Sequence, residues 1–374
     1  MRVAIIHDWL GPLTGAERVL EQMLVCYPDA DVFTAVDFLP GEHRHVLRGA
    51  RVHASFIQRL PFARRNIWNY VPLMPAAMEQ FDLRAYDLIL SNSHAVAKGV
   101  IVHPHQVHVC YLLTPMRFAW DLQPMYLRLH RAERGLRGMA ARGALAYLRR
   151  WDASTAARVD SFIAVSRYVA RRAQQCYRRD SRVLYPPVDT DYFTPGGERS
   201  DFYLAASRLT PFKRLDLIVE AFRSLPDRRL VVIGDGPEGR RIRAAAPPNV
   251  TLLGYQPRDV LRDHMRRARA FLFAAPEDFG IVMAEAQACG TPVIALGQGG
   301  ATEIVRDLTQ PGPTGVFFGE QTPASIVDAI RRFEAARAIP AERCRENALR
   351  FTPEAFREGL TALVSEALDA RGAD

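Results

Sequence analysis

Short apolar runs recur along the chain, each followed by turn residues and then a stretch with helical spacing. Val3 to Ile6 predicts a first strand and Arg18 to Val25 a helix. Further strands are expected at Asp31 to Phe38, Asp87 to Ser91, Val107 to Leu113 and Phe162 to Val165. Ser91-Asn92-Ser93-His94 is expected to open a short helix that carries Lys98 one turn past His94, and a helix is expected from Ser166. After the turn-rich joint Val183 to Asp189 the alternation resumes, with strands at Tyr203–Ala206, Leu230–Ile233, Val250–Leu253 and Ala270–Phe273. Alternating strand and helix of this kind predicts parallel sheets covered by helices. The expected architecture is therefore α/β, two Rossmann-like doubly wound domains facing across a cleft. The divisions fall at residues 1–190, 191–352 and a final helical segment, 353–374.

One stretch concentrates the candidate chemistry. Phe271 to Phe273 reads as a buried strand, Ala284 to Ala288 has helix-forming composition, and Val293 to Leu296 is the next strand. The loop of this βαβ unit carries Glu277, Asp278, Phe279 and Gly280, with Glu285 eight residues after Glu277. Ligands of open parallel sheets settle beyond the carboxyl ends of the strands, where helix N-termini present free amides. Carboxylates accept from sugar hydroxyls and amides donate to phosphate, so the loop suits a phosphorylated, polyhydroxylated ligand. A plain capping role for Glu277 and Asp278 is the structural alternative.

Composition adds a second clue. The net charge is +8, yet of 49 basic residues only Lys98 and Lys213 are lysine. Where arginine is used almost everywhere, a retained lysine marks a place for a compact point charge, so both are candidates for function. Arg208 and Lys213 lie five residues apart after a predicted strand and can clamp a diphosphate without a metal. Polar residues at two successive strand ends in the first half, His94 and Thr114 to Arg117, point to one wall of a site.

From Tyr126 to Trp151 seven arginines face one acid, Glu133, between regularly spaced leucines. That pattern predicts one or two basic amphipathic helices suited to an anionic membrane surface, with a solvated helix face as the alternative. Phe56 to Met78, aromatic, proline-broken and interleaved with Arg59, Arg64 and Arg65, fits either a bilayer-edge surface or a covered loop. No nucleic-acid module is present in the pattern. Five scattered cysteines predict reduced thiols and neither a disulfide frame nor a metal site. No apolar run reaches the roughly 18 residues of a spanning helix, and the chain enters its first strand directly after Met1-Arg2, which predicts a cytoplasmic protein without a signal segment.

Arg208 with Lys213, the turn Gly234-Asp235-Gly236-Pro237, Glu277 with Glu285, and Gly299-Gly300-Ala301-Thr302-Glu303 together resemble the donor half of retaining GT-B glycosyltransferases of family 4. Ile6 to Leu10, Ser93 to Gly99 and Thr114 to Arg117 resemble the bacterial O-antigen and exopolysaccharide mannosyltransferases. The resemblance implies transfer of mannose from GDP-mannose to a polyprenyl-diphosphate-linked sugar acceptor, with no metal and no other cofactor, at the inner face of the cytoplasmic membrane. It implies that Arg208 and Lys213 neutralise the donor diphosphate and that Glu285 holds the ribose. Glu277 and the amides around Phe279, Gly280 and Ile281 would hold the donor sugar, while Gly15 and Gly236 bring tight turns to the donor. His94, Lys98 and Arg117 are the acceptor-side candidates. The chain departs from the pattern at Leu113, where these relatives carry a histidine near the reacting sugar; either that histidine is dispensable, or His94 and Lys98 replace it, or the acceptor or activity has changed. A UDP-sugar donor, a nucleotide-sugar-binding protein without catalysis and a nucleotide-sugar epimerase are the alternatives.

Overall fold

A computed structural model describes residues 1–372. The chain forms two compact units: Met1–Pro187 together with the chain from Phe356 onward, and Val188–Ala355. The joint thus falls at Pro187 and Val188, and the first unit takes the greater part of the final helix, Pro353–Gly372.

The first unit contains β1 (Val3–His7), β2 (Asp31–Thr34), β3 (Val52–Ala54), β4 (Leu88–Ser93), β5 (Val107–Leu112), β6 (Ser161–Ala164) and β7 (Arg182–Val183). They form one sheet in the order β3-β2-β1-β4-β5-β6-β7, and every pair is parallel. Strands covered on both faces need no polar side, which is why β1, β4 and β5 are buried at every position. The strand order reverses between β1 and β4, with His7 paired to Asn92 in register. Such a reversal opens a crevice beyond the strand ends. On this unit the final helix packs Phe356 edge-on against Tyr111 of β5, with ring centroids 5.4 Å apart.

The second unit contains β8 (Phe202–Ala206), β9 (Arg229–Ile233), β10 (Val250–Gly254), β11 (Ala270–Phe273), β12 (Val293–Leu296) and β13 (Gly315–Phe318), ordered β10-β9-β8-β11-β12-β13. This sheet too is parallel throughout. Its reversal lies between β8 and β11, the strands that lead into Arg208 and Glu277.

Two expectations need correction, and the two basic helices form as expected. The run Asp31 to Phe38 is a strand only to Thr34. Ser91 to Ser93 belongs to β4, and no α-helix opens there; a single short turn, Ala97–Gly99, follows. The basic stretch forms two helices, Gln123–Leu129 and Gly135–Thr155, broken where Arg131 adopts a left-handed conformation (φ 52°). Cys110, Cys289 and Cys344 are buried thiols, which burial pushes up to about 12, and Cys26 and Cys176 are half-buried. Among the described residues no helix is long and apolar enough to cross a membrane.

Candidate active site

In the second unit the site begins where β8 ends. Arg208 is exposed, and Pro211–Lys213 forms one tight turn that swings Lys213 toward the end of β11. There the Lys213 ammonium donates to Glu277 Oε1 at 2.5 Å, with both side chains 18% exposed. The ammonium also lies 5.6 and 5.5 Å from the ring centroids of the half-buried Phe212 and the buried Phe273, so two aromatic faces share its charge. Two residues separated by 64 positions are thereby brought into one pair, with Arg208 on the adjoining strand end.

Glycine is required around Glu277 because backbone meets backbone. Gly299 bridges Glu277 in parallel register, and the Gly300 amide donates to the Glu277 carbonyl at 2.8 Å. A Cβ on Gly300 would fall 2.2 Å from the Phe279 carbonyl oxygen. At the end of β9, a Cβ on Gly236 (φ 157°) would fall 2.5 Å from the Leu209 carbonyl oxygen. That contact holds the GDGP turn against the Arg208 segment; the Leu209 amide also donates to Asp235. These glycines are thus the residues that let the Gly299–Gly300 loop close on the Glu277 loop and the GDGP turn close on the Arg208 segment.

The helix Ile281–Ala288 starts directly after Gly280 (φ 99°) and has no side-chain cap. The cap position is a glycine, so no cap side chain fills the helix start, and the Met283 amide turns back to the Gly280 carbonyl at 2.9 Å. Phe279 is 4% exposed and packs edge-on against Phe351, with centroids 5.2 Å apart, so its side chain anchors the loop. The Phe279 side chain is therefore committed to packing, which leaves its main chain for any other role. Glu285 sits in the second turn of that helix, half-buried, later than the helix start expected for it.

In the first unit a second polar cluster occupies the ends of β1 and β4. Asp8 is fully buried and accepts four main-chain N–H bonds, from His94, Ala95, Val96 and Ala97. Burial alone would raise its carboxyl, but the neighbouring His94 and these donors outweigh burial and hold it at about 2. His94 Nδ1 lies 2.8 Å from the same carboxylate, and the Trp9 ring meets the imidazole edge-on at 4.5 Å. Asp8 was not singled out in the sequence; its place directly after a strand, in His7-Asp8, was the available signal.

Gly15 is the first residue of the helix Gly15–Cys26, whose cap is a Thr14–Glu17 box. Glu17 also faces His7 Nε2 at 3.8 Å, and although burial raises its carboxyl, His7 and Thr14 bring it to about 2. Arg117 pairs with Asp121 at 3.4 Å, and Asp121 is shared with the buried Arg172, which also donates to Thr114. Leu113 follows β5 and its amide donates to Ser93.

Lys98 is the correction among the candidates. It is fully buried, its ammonium donating to Asp152 Oδ1 at 2.6 Å, the Asp152 carbonyl at 2.7 Å and Thr155 at 3.1 Å. Asp152 also accepts from Trp120 Nε1 and the Tyr177 hydroxyl. A compact ammonium fits this enclosed knot where a planar guanidinium would not, so the rarity of this lysine reflects packing. Among the described residues no group of three or more His, Cys, Asp or Glu side chains is arranged to hold a metal ion.

Residues 13–192 match the model of Glycosyltransferase Family 4, and residues 194–351 that of Glycosyl transferases group 1. The chain is similar to a D-inositol 3-phosphate glycosyltransferase of Geodermatophilus obscurus, 31% identical over 58% of this chain and 55% of the relative. A second protein of that name, from a Mycobacterium species, is 37% identical over 36% of this chain and 35% of the relative. The chain thus spans about half of the first relative's length and about a third of the second's. Among solved structures, sucrose-phosphate synthase of Thermosynechococcus elongatus superposes with a TM-score of 0.74 at 19% identity, covering 99% of this chain and all of that one. Anabaena HepE, solved with UDP and glucose, gives 0.69 at 20% identity over 97% of this chain and 99% of that one. The first half of the chain therefore matches a Family 4 glycosyltransferase domain and the second half a group 1 glycosyltransferase domain, on the two-sheet fold of these solved structures.

Proposed function

We propose that the protein is a retaining, metal-independent glycosyltransferase that moves mannose from GDP-mannose to a polyprenyl-diphosphate-linked oligosaccharide at the inner face of the cytoplasmic membrane. The observation that carries this is the Lys213–Glu277 pair with Arg208, held at the strand-order reversal beside the helix that starts after Gly280. Arg208, Lys213 and the helix amides neutralise the donor diphosphate as it leaves. Glu277 accepts from the sugar hydroxyls, and Glu285 from the ribose. The bond between the anomeric carbon and the phosphate oxygen breaks while the acceptor oxygen bonds that carbon on the same face. The acceptor proton passes to the departing phosphate oxygen, which needs no histidine at Leu113. His94, oriented by Asp8, and Arg117 serve the acceptor.

Membrane attachment is supported by the two basic helices, which leave Leu136 80% and Met139 63% exposed among arginines. A UDP-sugar donor is the second reading, favoured by HepE having been solved with UDP and glucose. The test is transfer activity of Glu277→Ala and Lys213→Ala, each expected to fall by about a hundredfold or more through lost transition-state electrostatics. Near wild-type rates in both would overturn the site assignment.

A further inference from the structure

Beside the strand ends of the first unit lies a cavity of about 230 Å³, between the turn Ile67–Leu73 and the helices Gln123–Leu129 and Gly135–Thr155. Its walls include Trp68, Phe118, Tyr126, His130, Leu145 and Leu148. The Trp68 ring meets those of Phe118, Tyr126 and His130 at 5.6, 5.6 and 5.7 Å, which makes a wall of aromatic faces and edges. An apolar cavity of about 150 Å³ already holds a benzene molecule, so this one has room for a segment of one hydrocarbon chain.

Two features say what kind of chain. Arg137 lines the cavity, and Arg128, Arg131 and Arg134 lie exposed along the same two helices and their link; among the described residues none of the four makes an ion pair. The occupant therefore carries an anionic head. On the other side Trp68 meets Trp9 edge-on at 6.4 Å, and Trp9 meets His94 at 4.5 Å. A row of rings thus joins the cavity to the histidine assigned to the acceptor.

We propose that the cavity seats the isoprenoid chain of the acceptor lipid, a single-chain prenyl diphosphate for which a prenyl phosphate is the simplest probe, and that its phosphate is taken by the unpaired arginines. One cavity takes one chain, and the row from Trp68 through Trp9 to His94 joins the chain's seat to the reacting sugar, which bulk two-chain phospholipid does not require. The proposal rests on the lipid-linked acceptor inferred above and extends it to a recognition site.

The experiment is calorimetric titration of the purified full chain with farnesyl phosphate, with farnesol and inorganic phosphate as controls. Ala141→Trp fills the cavity and Arg137→Glu reverses the charge at its wall without touching the core; Leu136→Ser with Met139→Ser alters only the exposed apolar face. Farnesyl phosphate is expected to bind about tenfold or more weakly to each of the first two variants and equally to the third, with both controls weaker than the phosphate ester. Unchanged binding by Ala141→Trp, or loss confined to the Leu136/Met139 variant, would overturn the site in favour of docking on a lipid surface. Thermal stabilisation by nucleotide sugars in the same variants separates the two claims: it should be retained throughout. Its absence in the wild type would refute the transferase while the titration still decides the lipid site.

Discussion

Replacing Glu277 by Gln should separate diphosphate binding from turnover. The Glu277 carboxylate holds the Lys213 ammonium at 2.5 Å, both groups 18% exposed. At an effective dielectric constant of about 20, unit charges about 4 Å apart attract by roughly 4 kcal/mol. Desolvation of two largely covered groups cancels most of that, leaving about 1–2 kcal/mol. A nucleoside diphosphate without its sugar competes for Lys213 and does not use Glu277. Freed from its partner, Lys213 should bind GDP or UDP about fivefold or more tightly in Glu277→Gln, the equivalent of about 1 kcal/mol. Turnover of the full donor in that variant should fall by about a hundredfold, because the sugar hydroxyls lose a charged acceptor. Lys213→Ala should lose both, with diphosphate affinity down about tenfold. Titration calorimetry at fixed ionic strength, paired with single-turnover rates, reads the split. Equal weakening of diphosphate binding in Glu277→Gln and Lys213→Ala would refute it, since Glu277 would then be supporting the phosphate site.

Gly300→Ala should cost about 1–3 kcal/mol, because its Cβ would meet the Phe279 main chain at 2.2 and 2.4 Å, and donor binding should fall with the displaced loop; urea unfolding and thermal shift measure both. Lys98→Met strands a buried Asp152 and should lower stability by about 3–5 kcal/mol in denaturant titration, while donor binding by the folded fraction stays unchanged. His108, buried between Ser91 and the Arg158 carbonyl, is pushed by burial down to about 4. Its neutral form stabilises the fold fully above about pH 6.5, and about 3 kcal/mol should be lost as pH falls from there to about 4. His108→Gln should flatten that limb of the stability curve and leave a second loss below about pH 4, where Asp8 and Glu17 take up protons. Arg134→Glu with Arg137→Glu should release the protein from phosphatidylglycerol vesicles in a flotation assay.

Parallel strands buried on both faces write themselves as short apolar runs, which is why the two sheets could be read from the chain. Strand ends were harder: Asp31 to Phe38 keeps its apolar character past Thr34, where the chain has already left the ladder. Glu277 and Lys213 were legible because each stands beside glycine or proline turn signals at a strand end. Their direct pairing was not, since it depends on how β8 and β11 adjoin. Lys98 shows the limit of an argument from composition. Its scarcity was a true signal of a place where only an ammonium fits, but the place is an interior knot around Asp152, 54 residues away. Asp8 escaped notice because a lone aspartate has no period; its role appears only once four amides of another strand's end converge on it.

The central claim is a donor site built from cations and helix amides, and thermal stabilisation by GDP-, UDP-, ADP- and dTDP-sugars, with and without EDTA, tests it most directly. A ligand at 100 times its dissociation constant adds about 2.7 kcal/mol. GDP-mannose is expected to give a shift that EDTA does not change and that Lys213→Ala abolishes. A shift confined to a UDP-sugar would move the assignment to the second donor. No shift with any nucleotide sugar, or one that EDTA removes, would contradict the claim.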